Sequence, residues 1–229
     1  MGTIHDISER KQSQERLLSS LREKEVLLRE IHHRVKNNLA VISSIFYLQS
    51  TYAKDEQTIK MIQESQDRVR SMALVHESLY RSGDLGAVNF GEYLLSLTDH
   101  LMRTYRLPSA KVSLRTDIEN VTLSIDTAIP CGLILNELIS NCLKHAFPQG
   151  AGEISLSLHP APGGKCVLRV RDSGVGIPED LDVREAGSLG MRLVRSLTAQ
   201  INGTFEFRRD NPGSEAKLTF PAADGQQRG

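Results

Sequence analysis

The sequence predicts an α+β fold: an antiparallel helical hairpin followed by a two-layer α/β sandwich. Three observations predict it. Residues 13–50 contain no glycine or proline and carry apolar residues at helical spacing. A second stretch of the same character follows a short polar break. Beyond Gly86 the pattern changes to helices interleaved with short alternating strands, which suits helices packed on one face of a mixed sheet.

In order, Met1–Lys11, MGTIHDISERK, reads as an end rather than a beginning, with Thr3–Ile7 as the last part of a strand followed by a charged exit. It resembles the closing segment GTxxDITERK of PAS sensor domains, which implies that residues 1–14 are the remnant of a sensor and its linker. From Ser13 to Ser50 the apolar stripe runs through Leu17, Leu21, Leu28 and Val35. Leu28, Val35 and Ile42 repeat every seven residues, and Ile31, Leu39 and Phe46 fill intermediate positions, so one side is expected against another helix. His33 sits about 140–160° around the helix from that seam and is expected to face water, with His32 near the seam edge. Asn37 lies one turn beyond His33, and Arg29 and Glu30 one turn before it. An exposed neutral imidazole is available to attack a group delivered by another domain; the plain alternative is a solvated polar face that contains a histidine.

After the break at Thr51–Glu56, the apolar residues Ile59, Ile62, Val69, Met72, Leu74, Val75 and Leu79 predict a second amphipathic helix ending near Arg81. Residues 15–84 then form a hairpin, and a hairpin has only two faces to hide its stripe, so pairing with a second copy into a four-helix bundle is expected. His76 and Tyr80, one turn apart, are read as packing near its end.

Residues 85–222 are read as a second domain. Helices are predicted at Phe90–Tyr105, Asp126–Ala146 (with Pro130 near its start) and Leu189–Gln200. Strands are predicted at Val112–Leu114, Val121–Ile125, Glu153–Leu158, Cys166–Val170, Thr204–Phe207 and Ala216–Phe220. Residues 223–229 are expected to be a disordered tail.

Composition narrows the function classes. Lys+Arg and Asp+Glu are 28 each in 229 residues, so no charge excess points to nucleic acid or an anionic membrane. No apolar run approaches the roughly 20 residues of a membrane span and no signal-peptide pattern opens the chain, so a soluble, cytoplasmic chain is expected. Cys131, Cys142 and Cys166 are odd in number and set among apolar residues, which favours reduced buried thiols. His5, His100 and His159 have no partner pattern and default to the surface.

Three clusters in the second half carry chemistry. In Leu135–Phe147, LNELISNCLKHAF, the residues Glu137, Asn141, Lys144 and His145 recur at spacings of four, three and one, which puts at least three of them along one side of a helix, with Leu133, Ile134, Leu138 and Leu143 on the other. An amide oxygen, a carboxylate and a cation there suit Mg²⁺ with phosphates, because Mg²⁺ takes few protein ligands and completes its octahedron with water and phosphate oxygens. Asp172 follows a strand directly in DSGVGIP: its carboxylate can accept from an exocyclic amine, and Gly174 and Gly176 allow close backbone approach. Gly187 and Gly190 precede a helix whose free N–H groups suit phosphate. Neither GxxxxGK[ST] nor GxGxxG is present.

In this order, EIHHRVKNNL, HESLY at His76–Tyr80 and IPCGLILNELISNCLKHAF resemble the sensor histidine kinases of the HisKA_2 branch, near the HWE kinases, over roughly residues 15–221. The resemblance implies a dimerisation and phosphotransfer hairpin followed by a GHKL (Bergerat) ATP-binding domain. It also implies a chain that autophosphorylates from ATP with Mg²⁺ and passes the phosphoryl group to an aspartate of a response regulator receiver domain. HRVKNNL aligns with the HELRTPL of commoner histidine kinases with His33 as phosphoacceptor. Asn141 matches the Mg²⁺ ligand and Glu137 a residue that polarises the nucleophile in GHKL ATPases. Lys144 and His145 match phosphate-side positions, Asp172 the adenine-reading aspartate, and Gly174, Gly176, Gly187 and Gly190 the glycines flanking the nucleotide. Gly213-Ser214 is similar to the late Gly-Thr element beside the base. Two departures stand out. Arg34 occupies the place of the acid that commonly follows the phosphoacceptor, leaving Glu30, Glu137 or no strong base. The eight residues between Pro178 and Gly187 make a short lid, for which fast nucleotide exchange is expected. The rival readings are a GHKL ATPase or protein-serine kinase that does not use His33, and a non-catalytic dimeric adaptor.

Overall fold

The computed structural model describes residues 3–81, 88–104, 111–176 and 189–222. Gly187, the segment 178–187 and the tail 223–229 lie outside them, as do the side chains of His5, Leu28, His32, His76 and Tyr80.

The first 50-residue helix, α1 (Thr3–Tyr52), is continuous. Thr3–Ile7 is therefore helical and not the end of a strand. A strand needs a neighbour to satisfy its N–H and C=O groups, and among the described residues none lies beside this segment, whereas a helix satisfies them locally. The chain turns at residues 53–55 and enters α2 (Glu56–Arg81). Asp55 caps α2, its carboxylate accepting the Thr58 N–H at 2.7 Å, and this hydrogen bonding holds the Asp55 pKa below its ordinary value. The two helices pack as an antiparallel hairpin in which the Gln66 amide meets the Ser43 carbonyl at 3.4 Å, fixing residue 66 opposite 43. Val35, Leu39 and Phe46 are half-buried. Ile31 and Ile42 remain 52% and 41% exposed, because two helices meet along one seam and the rest of the stripe stays open within one chain.

The remainder builds a five-stranded mixed sheet with helices on one face. Its strands are β2 (Lys111–Ile118), β4 (Ala151–Ala161), β5 (Lys165–Asp172), β6 (Thr204–Arg209) and β7 (Ser214–Pro221), ordered β2-β4-β5-β7-β6. β2 runs parallel to β4 and every other pair is antiparallel, with Leu156 opposite Val170 and Leu168 opposite Leu218. Alternation sends Ile154, Leu156 and Leu158 of β4 into the core. They meet α3 (Phe90–Thr104), α4 (Ile125–Asn141) and α5 (Leu189–Gln200) through Leu94, Leu97, Ile134, Ile139 and Val194. α4 is buried continuously from Pro130 to Ser140, because α3, α5 and α2 all pack against it.

Two elements depart from expectation. The strand expected at Val121–Ile125 is reduced to β3 (Thr122–Leu123), paired with β1 (Val88–Asn89) outside the main sheet. α4 already begins at Ile125, which leaves no room for more. The helix expected to reach Ala146 as one element ends at Asn141 and continues as a π turn, Cys142–Ala146. His100 is half-buried rather than simply at the surface; burial lowers its pKa, and Arg70 of α2 lowers it further.

Candidate functional site

The site begins where α4 gives way to the π turn. Glu137 is 5% exposed, and a carboxylate so buried is costly without a partner. Arg68 of α2 supplies it: Nε lies 2.5 Å from one carboxylate oxygen and a terminal guanidinium nitrogen 3.0 Å from the other. A Cβ on Gly190, the second residue of α5, would lie 2.3 Å from Glu137 Oε2, so a larger residue there would displace that carboxylate. Two turns on, Lys144 Nζ meets Glu64 of α2 at 3.1 Å. Glu137 and Lys144 thus share a helix face as the spacing predicts, and that face is turned to the hairpin. Half-buried Asn141 lies between them in sequence. His145 is exposed, yet its pKa is lowered, first by partial desolvation and then by Lys60 and Lys144, which outweigh Glu64. The folded protein therefore takes up fewer protons at this residue than the unfolded chain does, and its contribution to stability declines as pH falls below the ordinary histidine value. An NMR titration should find His145 below that value, and Lys60→Met should move it upward.

A second group surrounds Asp172 at the end of β5, 3% exposed. One carboxylate oxygen accepts from Ser214 Oγ at 2.5 Å and lies 3.9 Å from Cys142 Sγ; the other accepts the Gly174 N–H at 2.9 Å. Gly213 adopts φ +101° and Gly176 φ +73°, conformations that L side chains rarely tolerate. A Cβ at Gly174 would lie 2.2 Å from the Ala146 carbonyl oxygen, which accepts the Val175 N–H at 2.9 Å. This loop is thereby stitched to the π turn, whose widened ladder presents Ala146 to it. One anchor thus ties Asp172 to the helix that carries Asn141.

Sequence reasoning did not single out Cys142, Glu64 or Arg68 as site residues. Cys142 is a free, half-buried thiol whose pKa is pushed well up by burial and by the Asp172 carboxylate. Its signal was adjacency to Asn141. Glu64 and Arg68 carried none, since a polar helix face has no motif.

His33 is exposed on α1, as its angular position predicts. Of the two candidate bases, Glu30 is held by Arg34 Nε at 2.8 Å and Glu137 by Arg68. Because residue 66 lies opposite 43, Arg68 stands opposite residue 41, about 12 Å along α1 from His33 at 1.5 Å per residue. The structure brings Glu137, Lys144 and α2 together, and gathers Asp172, Ser214, Gly174 and Gly213, but does not bring His33 to Lys144.

For Mg²⁺ the donor set fits. Among the described residues no group of three or more His, Cys, Asp or Glu side chains could hold a metal unaided, while Asn141 offers an amide oxygen beside a lysine. That suits a cation ligated mainly by phosphate oxygens and water.

A mixed sheet with helices on one face, a buried aspartate over a glycine-shaped loop and a histidine-bearing helical hairpin packed beside it together have the architecture of a GHKL-type module joined to a helical hairpin. Comparison with known proteins agrees. Residues 30–105 match the HisKA_2 family, described as histidine kinase, and residues 126–224 match HATPase_c, described as histidine kinase-, DNA gyrase B-, and HSP90-like ATPase. The chain belongs to the histidine kinases of the HisKA_2 branch. It is 30% identical over 221 residues to the sensor histidine kinase PdtaS of Mycobacterium tuberculosis, covering 95% of this chain and 43% of that protein. It is 30% identical over 199 residues to blue-light-activated histidine kinase 2 of Erythrobacter litoralis, covering 85% of this chain and 56% of that protein. The histidine kinase domain of the Erythrobacter litoralis EL346 blue-light activated histidine kinase superposes with a TM-score of 0.65 at 26% identity, covering 87% of this chain and 95% of that one. The chain thus spans about half the length of the curated relatives it matches. No helix among the described residues is long and apolar enough to cross a membrane.

Proposed function

We propose that this chain transfers the γ-phosphoryl group of ATP to His33 and hands it on to an aspartate of a response regulator receiver domain. The observation that carries the reading is the pairing, in one chain, of an exposed hairpin histidine with a buried Asp172–Ser214 recognition pair on the module that holds Asn141 and Lys144. Asp172 accepts from the exocyclic amine of adenine, and Ser214 fixes its orientation. Gly176 and Gly213 let this backbone pack closely behind Asp172, since a Cβ at Gly176 would meet the Gly213 carbonyl oxygen and one at Gly213 the Asp172 carbonyl oxygen. Asn141 and Lys144 meet the triphosphate, Lys144 as a point charge. Mg²⁺, when bound through Asn141, neutralises phosphate charge. The His33 imidazole lone pair forms the P–N bond as the bond from phosphorus to the ADP oxygen breaks, and the ring proton leaves to solvent or to a carboxylate. His145 and Gly190 border the phosphate end, and Gly187 stands three residues before Gly190 in the sequence.

We read residues 15–84 as the hairpin domain and 85–222 as the ATP domain. The open part of the hairpin stripe, Ile31, Val41, Ile42, Ile45 and Leu48, supports a homodimer through a four-helix bundle.

Brief exposure to Mg²⁺-ATP followed by peptide mapping at neutral pH should locate the phosphoryl group on His33; a serine or His32 carrying it instead refutes the assignment. Asn141→Ala should lose Mg²⁺-dependent ATP binding by on the order of tenfold or more with its circular dichroism intact.

A further inference from the structure

Both charged side chains that the phosphate end of the site needs are engaged elsewhere. Arg68 grips both carboxylate oxygens of Glu137, and Glu64, one turn earlier on α2, holds Lys144. The pairs are partly withdrawn from water: side-chain exposure is 14% and 6% for Arg68 and Glu137, and 31% and 21% for Glu64 and Lys144. Pairs desolvated to this degree hold geometry better than surface ones and are costly to break from one side. Their positions also match: residues 64 and 68 are one turn apart on α2, while 137 and 144 are two turns apart across the end of α4 and the π turn, so the contacts form one seam between the hairpin and the ATP module. By the hairpin register that seam lies opposite residues 41–45 of α1, about 12–18 Å along the helix from His33. Lys144 cannot serve Glu64 and a phosphate at full strength together, and a module pinned at that level does not deliver its phosphate end to His33.

We propose that the Arg68–Glu137 and Glu64–Lys144 pairs are an autoinhibitory latch, holding the ATP module on α2 in a state that cannot phosphorylate His33, and that the latch opens before transfer. The proposal rests on the kinase reading for its consequence, but the contact itself can be tested without it.

The full chain would carry spin labels at Gln63→Cys on α2 and Ser196→Cys on α5, both exposed, in a Cys142→Ala background, diluted into unlabelled chains. Pulsed electron paramagnetic resonance should give a short, narrow distance that lengthens and broadens with Glu64→Lys or Arg68→Ala. Glu64→Lys combined with Lys144→Glu should restore the short distance, which a merely structural role would not do. In unlabelled chains, Arg68→Ala and Glu64→Lys should each raise the rate of His33 phosphorylation about tenfold, equivalent to about 1.4 kcal/mol. Unchanged distances in both single variants overturn the latch. So does a lengthened distance with slower phosphorylation at unchanged ATP affinity, which would make Arg68 a positioning residue for Glu137. Should Arg68→Ala fail to fold, Glu64→Lys decides alone, its pair being the more exposed. If the distances respond as expected but no variant ever labels His33, the contact stands and the kinase reading falls.

Discussion

His33→Ala is expected to abolish the acid-labile, base-stable label that the wild-type chain should acquire from γ-labelled ATP, a loss on the order of 100-fold or more, with ATP affinity unchanged. The expectation follows from position. His33 is exposed on the outer side of α1, and the side chain contributes no core packing whose loss would confuse the result. Its removal would delete the proposed nucleophile and leave Asn141, Lys144 and Asp172 untouched. His32→Ala is the control and should keep its label, since helical spacing puts residue 32 about 100° around the helix from residue 33. A GHKL ATPase or serine kinase would instead retain turnover in His33→Ala, and an adaptor would show no label in either form.

Gly213→Ala should be the most damaging small substitution in the ATP module. At φ +101° an L residue is strained wherever it has space, and here it has none: the new Cβ would lie 1.9 Å from the Asp172 carbonyl oxygen. Backbone must move, and the piece that moves joins Ser214 to Asp172, so the recognition pair is lost together with stability. We expect a cost on the order of 3 kcal/mol or more, a melting temperature lower by roughly 10 °C, and loss of ATP binding. Calorimetry with and without Mg²⁺-ATP measures both. A variant that melts and binds like the wild type would show that the loop relaxes freely and does not shape the pocket. Gly163→Ala is the matched control, because its φ is also positive at +75° but a Cβ there meets nothing within 4 Å.

Much of this was legible in the chain. Helical periodicity located α2 and the end of α1 within a few residues, though α1 begins ten residues before the predicted Ser13, and α5 runs from Leu189 to Gln200 as its pattern predicts. Alternation found four of the five main strands near their true centres and the core of β2. Where the reading failed, the missing information was not local. Thr3–Ile7 has strand-like composition but, among the described residues, no neighbour to pair with. The helix expected to reach Ala146 changes to a π turn at Cys142, and the Ala146 carbonyl there accepts from the Val175 N–H, 29 residues away. Glycines chosen for their closeness to nucleotide proved to have neighbours of their own: Gly174 fits against Ala146 and Gly190 against Glu137.

By itself the sequence determined which residue types lie on which helix face and strand side, and hence the fold class, the exposure of His33 and the shared face of Glu137 and Lys144, because periodicity of 3.6 or 2.0 is written into consecutive residues. Only the tertiary structure decided what that face meets. Arg68 and Glu64 stand 69 and 80 residues from their partners, and no local pattern encodes such a pairing. It exists because two charges withdrawn from water must find opposite charges where the packing of α2 on α4 brings them together.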